Sequence, residues 1–202
     1  MDHLRRVMTA LFLPLLLFLG ISGNVFAAIE EDVCVYYRST LHAKHRDALE
    51  PLIAEAKKSA PNGILAVCTY EGAAFFGSVA DVYADRSSGD EYAWVIGFER
   101  AFEEEASLAS IRFLFLHEVG HLMIKHYRVC TTHFANGDRT AYISCESEAD
   151  RYAAERVGYC EAARALEELG ASIVRRHNAA SGAEILAERA ALLRKDKNCS
   201  DK

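Results

Sequence analysis

The chain has 202 residues, a formal net charge of −6 and six cysteines. An acidic balance of this kind removes the electrostatic case for binding nucleic acid. The length suits one domain with a proper core rather than an array of modules.

Residues 1–27 read as a segment apart from the fold. Arg5 and Arg6 give a positive start, an apolar run follows, and Val25-Phe26-Ala27 puts small residues where a signal peptidase cuts. The expectation is a secretory signal peptide over 1–27, with an uncleaved anchor as the alternative; the apolar run is short for a membrane span. Cleavage leaves one domain over 28–202 and, by removing two arginines and one aspartate, takes the formal charge from −6 to −7. No stable membrane span is expected after cleavage. All six cysteines, Cys34, Cys68, Cys130, Cys145, Cys160 and Cys199, lie in the remaining part. An even number in an exported chain suggests disulfides, although some buried thiols would read the same way. No C-x-x-C spacing occurs, which argues against a thioredoxin-like site or a zinc ribbon.

Periodicity predicts a helix over 40–60, with Leu41, Ala48, Leu49, Leu52, Ile53 and Ala56 on one face and Pro51 as a point of division. A turn at Pro61-Asn62-Gly63 follows. Strands are expected over 64–70, 75–83 and 92–98, the last carrying the single tryptophan, Trp94. A long amphipathic helix over 107–127 comes next, then a loop over 128–141 with Asn136-Gly137 as its turn. Helices over 144–157, 161–176 and 183–193 complete the pattern, broken at Gly158 and ending in a charged, frayed tail. The fold class expected is α+β: a short β-sheet with an active-site helix, followed by a helical C-terminal part.

The central helix contains Leu116-His117-Glu118-Val119-Gly120-His121-Leu122, an H-E-x-x-H pattern. Residues four apart lie one turn apart on the same helix face, so His117 and His121 can meet one zinc ion. Glu118 sits one step round, where a carboxylate can act as the base that activates a water. The alternative is an ordinary polar helix face, but the apolar neighbours make solvated polar groups hard to explain there.

A catalytic zinc needs a third protein ligand and keeps its fourth position open. Cys145-Glu146-Ser147-Glu148-Ala149-Asp150 supplies a candidate on the next helix. Glu146 and Asp150 share a face. Glu146 is the expected third ligand, and Asp150 the acceptor that fixes the tautomer of a ligating histidine. Glu148 points about 200° away from Glu146 at helical pitch. Acids that only favour the helix dipole are the bland reading.

H-E-x-x-H followed by E-x-x-A-D resembles the gluzincin metallopeptidases, in the pattern of the HtpX and CAAX-prenyl-protease family; the ImmA/IrrE-type metallopeptidases are similar. The resemblance covers residues 92–158. It implies a small zincin-like domain, a Zn²⁺ cofactor, metal ligands His117, His121 and Glu146, catalytic Glu118 and supporting Asp150. It also implies a strand that pairs with an extended substrate, for which 92–98 is the candidate, and a donor for the oxyanion. His177 is the first choice of donor, with His133, Arg139, Tyr142 and Tyr152 as alternatives. The chain departs from the membrane family in lacking transmembrane helices, and from the ImmA/IrrE type in its leader, its cysteines and the absence of a DNA-binding module.

The function expected is a zinc-dependent metalloendopeptidase, a hydrolase of exported proteins or peptides, in the periplasm or secreted. The rivals are a non-catalytic secreted interaction domain stabilised by zinc and a processing peptidase with one target. A Cys130–Cys145 bridge would tie Glu146 to His121, with Cys145–Cys160 as its competitor. His42, His45 and His126 read as solvent-facing.

Overall fold

The computed structural model describes residues 33–34, 45–71, 77–84, 90–126, 129–197 and 199. The expected leader over 1–27 lies outside them, as do Leu41 and His42.

Helix α1 (Arg46–Lys57) buries Leu49, Ile53 and Ala56 along one stripe. Pro51 lies inside it and does not divide it. A proline in a helix interior costs roughly 3 kcal/mol. Burying Leu49 and Ile53 returns about 1.5–3 kcal/mol each, so the helix runs through. A turn at Pro61–Gly63 follows, in which Asn62 takes a left-handed φ of 55° and donates from its side chain to the carbonyl of Tyr92 at 3.0 Å.

Three strands form one sheet: β1 (Leu65–Tyr70), β2 (Ser78–Ala84) and β3 (Glu91–Glu99). Their spatial order is β1-β3-β2, with β3 parallel to β1 and antiparallel to β2. Alternation decides the faces. Leu65, Val67, Trp94, Ile96 and Phe98 enter the main core, while Ala66, Cys68, Ala93 and Val95 enter a smaller cluster with Val33 and Cys34 on the other side. The central place of β3 corrects one expectation. Both its edges are paired, so it cannot take up a substrate strand; among the described residues, β2 is an edge strand beside the helix that carries His117.

The helical part starts with a short helix that periodicity missed, α2 (Arg100–Glu105), whose Phe102 is fully buried. Helix α3 (Leu108–Met123) is capped by Ser107, which accepts from the backbone of Ser110 at 3.2 Å. The predicted loop is largely helical: α4 (Val129–Ala135) fills it, and α5 (Arg139–Val157) begins earlier than expected, capped by Asp138. Only the Asn136-Gly137 turn survives of that loop. Gly158, at φ 98°, separates α5 from α6 (Tyr159–His177). Helix α7 (Ala180–Lys197) packs back on α6.

One continuous core runs from Leu49 on α1 to Leu193 on α7. The fold is α+β, a small sheet followed by a mostly helical C-terminal part, as its patterning implied. Three disulfides close it: Cys34–Cys68, Cys130–Cys145 and Cys160–Cys199. The Cys145–Cys160 alternative is thereby excluded. The last bridge also corrects the frayed tail, because it ties Cys199 to the start of α6 while Arg194 pairs with Glu167 at 3.0 Å. Three bridges fit an oxidising, extracytoplasmic setting. Among the described residues no helix is long and apolar enough to cross a membrane.

Gly158 offers a clean test of backbone strain. A Cβ there would meet nothing within 4 Å, so any cost of Gly158→Ala comes from its φ alone. The expected loss is about 1–3 kcal/mol by chemical denaturation.

Candidate metal centre

Helix α3 is not the amphipathic helix that its sequence suggested. Residues 113–122 are buried without interruption, enclosed by β2, β3, α1, α5 and α6. Its ends are the exposed parts, with Leu108 40% and Met123 43% accessible. His117, Glu118 and His121 therefore sit inside the protein, each about 5% exposed or less. Polar side chains in such a place need partners.

Helix α5 supplies them. The two helices pack tightly because Gly120 lies at their crossing: a Cβ there would stand 3.2 Å from the Cα of Ala149 and from the Cβ of Tyr152. This close approach carries Glu146 and Asp150 onto the histidines. His117 Nε2 and His121 Nε2 are 3.1 Å apart. Glu146 Oε2 is 3.5 Å from His117 Nε2, and its Oε1 is 3.6 Å from His121 Nε2. Behind them, His117 Nδ1 lies 2.9 Å from Asp150 Oδ1. The four residues expected as ligands and support thus converge, and Glu148 is half-exposed on another face, as helical pitch required.

The donors fit a zinc ion. Tetrahedral ligands at 2.0–2.1 Å from zinc lie about 3.3 Å apart, close to the observed spacings. Two imidazoles and one carboxylate are also a donor set of the kind found in catalytic sites with one open position.

Glu118 faces the sheet. Ser78, at the start of β2, donates to Glu118 Oε1 at 2.7 Å. The strand ends gather more polar groups there, since Tyr70 pairs in register with Glu99, and Phe98 with Ser78. Burial, then the charges of Glu99 and Glu118, push the Tyr70 hydroxyl far above its usual range, so it keeps its proton. His177 belongs to this group rather than to the ligand cluster: its Nε2 is 3.0 Å from Glu99 Oε1, and Arg176 holds the other oxygen at 2.7 Å.

The other donor candidates are placed as follows. Tyr142 precedes Glu146 by one turn and packs on Phe134, ring centroids 5.2 Å apart. Burial, then the Glu146 carboxylate, push its hydroxyl up to about 12. Tyr152 lies under the Arg156 guanidinium, Arg139 is exposed and paired with Glu188, and His133 is half-buried on α4. His126, expected to face solvent, instead faces Cys145 Sγ at 3.7 Å and Glu148 at 3.7 Å.

Arg189 was not foreseen. It is 5% exposed on α7 and forks onto Asp150, Nε to Oδ2 at 2.8 Å and Nη2 to Oδ1 at 2.7 Å, while Nη1 lies 2.9 Å from Glu146 Oε2. A signal was present: Arg189 falls within the stripe Leu186, Ala190 and Leu193, where a charge is costly unless paired. Ser78 and Glu99 carried no such signal, because a single hydroxyl or carboxylate at a strand end has no periodicity.

These charges set each other's protonation. Burial raises Glu146 and Asp150, but the Arg189 charge and the His117 contact outweigh it and hold both below the usual carboxylate range. Burial lowers His117, yet contacts with Asp150 and Glu146 push it up to about 10. The charges of Arg189 and a protonated His117 thereby offset those of Glu146 and Asp150, with Glu118 as a further carboxylate neighbour of His117.

Two outcomes follow from this balance. A histidine raised to about 10 stabilises the fold fully below its unfolded value near 6.5 and loses that contribution as pH rises through 10. In the presence of a chelator, the melting temperature should fall between pH 6.5 and 10. With zinc bound the imidazole is neutral, and this fall should disappear. Replacing Arg189 with Met leaves two buried carboxylates under-compensated, at a cost of about 3–5 kcal/mol. Added zinc should recover part of that loss in a denaturant titration; no loss at all would refute the role of Arg189 in charge balance.

No known protein family, no curated protein and no solved structure matches this chain.

Proposed function

We propose that the chain is a zinc-dependent metalloendopeptidase of gluzincin type that hydrolyses exported proteins or peptides, acting in the periplasm or after secretion. The observation that carries this reading is the meeting of His117, His121 and Glu146 within 3.1–3.6 Å of one another, with Glu118 on the same helix. A purely structural zinc site has no use for a carboxylate at that position.

Zinc, when bound, supplies a Lewis acid and lowers the pKa of water. The chain's residues do the remaining work. Asp150 holds His117 so that Nε2 points to the ligand cluster, and Arg189 holds Asp150. Glu118 takes the proton of the attacking water and passes it to the leaving amine. Ser78 orients it for both transfers. An extended peptide adds to the edge of β2, next to Ser78 and Glu118, rather than to β3. Tyr142, which keeps its proton one turn before Glu146, is the donor proposed for the oxyanion, with His177, held by Glu99, as the alternative.

Glu118→Gln preserves shape and removes the base. It should retain zinc at wild-type stoichiometry and lose about 10²–10⁴-fold in cleavage of an unfolded protein substrate. Unchanged cleavage would sink the reading.

The contact between Arg189 and Glu146 supports a second reading, a non-catalytic secreted interaction domain. Glu146 there has a cationic partner at 2.9 Å before any metal binds. A wild-type protein that holds zinc but cleaves neither casein nor any single exported protein would favour this second reading. Cleavage of one exported protein alone would make the enzyme a narrow processing peptidase.

A further inference from the structure

The two histidines of the cluster are not backed alike. His117 turns its Nδ1 to a carboxylate, Asp150 at 2.9 Å. His121 turns its Nδ1 to a sulfur, Cys130 Sγ at 3.8 Å. That sulfur is bonded to Cys145, the residue immediately before Glu146. The bridge is buried, with Cys130 2% and Cys145 5% exposed.

We infer that the Cys130–Cys145 disulfide is a positioning element of the metal centre, acting on two of its three ligands at once. On one side the Cys130 sulfur is the neighbour that a ring nitrogen of His121 meets where metal-ligating histidines usually meet an oxygen. It biases the ring toward presenting Nε2 to His117 and Glu146. On the other side the covalent bond holds the first turns of α5 against α4, and α4 follows the end of α3 closely in the chain. Backbone carbonyls knit the same corner, with the His121 carbonyl accepting from the amide of His126 at 2.9 Å and the His126 carbonyl from that of Val129 at 3.0 Å. His126 closes the corner by facing Cys145 Sγ at 3.7 Å. Glu146 is therefore tethered to the end of the helix that carries His121.

The geometry separates this bridge from the other two. Cys34–Cys68 joins the small cluster on the far face of the sheet, and Cys160–Cys199 ties the chain end to α6. Neither contains a residue adjacent to His117, His121 or Glu146 in sequence, nor a sulfur facing their rings among the described contacts. All three closures constrain the unfolded chain, but only Cys130–Cys145 touches the donors. Loss of any bridge should thus lower stability, whereas loss of this one should also change how the metal is held.

This inference rests on the proposed zinc site, and one experiment distinguishes the two. Zinc affinity is measured by competition with a chromophoric chelator, below the melting temperature of every protein used. The proteins are the wild type, the pair Cys130→Ala/Cys145→Ala, and the control pair Cys160→Ala/Cys199→Ala. Cobalt spectra of each report the ligand geometry. The first pair should bind zinc about 10- to 100-fold more weakly, the range for lost outer contacts of a metal ligand, with altered cobalt visible bands. The control pair should melt earlier yet keep wild-type affinity and spectrum. Equal affinity in the first pair, or an equal loss in both pairs, would overturn the positioning role. If the double alanine variant does not fold, the better-filling pair Cys130→Val/Cys145→Ala in the full chain gives the same comparison and leaves no free thiol to take the metal. A wild type that binds no zinc would overturn the metal reading itself.

Discussion

The architecture depends on one buried interaction, the fork of Arg189 onto Asp150 and Glu146. Each isolated charge buried to this degree would cost several kcal/mol. Pairing removes most of that cost only if three helices hold their side chains in register. Helix α7 must place Arg189, α5 must place both carboxylates, and α3 must place His117 against Asp150. The last helix of the chain is thereby coupled to the centre of the fold. The Cys160–Cys199 bridge and the Arg194–Glu167 pair reinforce the same docking.

The sheet contributes position more than ligands. Because β1 and β3 are parallel and β2 runs against them, Tyr70, Glu99 and Ser78 all arrive at one end of the sheet. That end meets Glu118 through Ser78 and His177 through Glu99. The apolar residues of the same strands face the helices and fix the height of α3 above the sheet. Polar function at the strand ends and packing along the strand faces are thus served by the same three segments. Among the described residues, the outer edge of β2 and the buried donors of α3 lie side by side as a result.

Rigidity is concentrated around the donors. Gly120 lets α3 and α5 approach until a methyl group would stand a tight 3.2 Å from Ala149 and Tyr152, and the Cys130–Cys145 bridge closes the connection between them. A catalytic metal gains from ligands that are already in place, since little ordering remains to be done when the ion arrives. The burial of residues 113–122 is consistent with that demand.

Local pattern was enough for the strands, for most helix spans and for the α+β class, and helical spacing put His117 with His121, and Glu146 with Asp150, on shared faces. Those features depend on periods of two and 3.6 residues and on capping and turn chemistry, all written in neighbouring residues. The helix α4 escaped because its seven residues are too few to show a period and are held by a bridge to Cys145. The central place of β3, the pairing of the cysteines, the burial of α3 on every side and the arrival of Arg189 depend on which distant segments pack together. A charge within an apolar stripe announces that a partner must exist, but only the tertiary structure, by bringing α7 across α5, decides which one. The reason is physical: pairing energy depends on distance in space, and sequence records distance only along the chain.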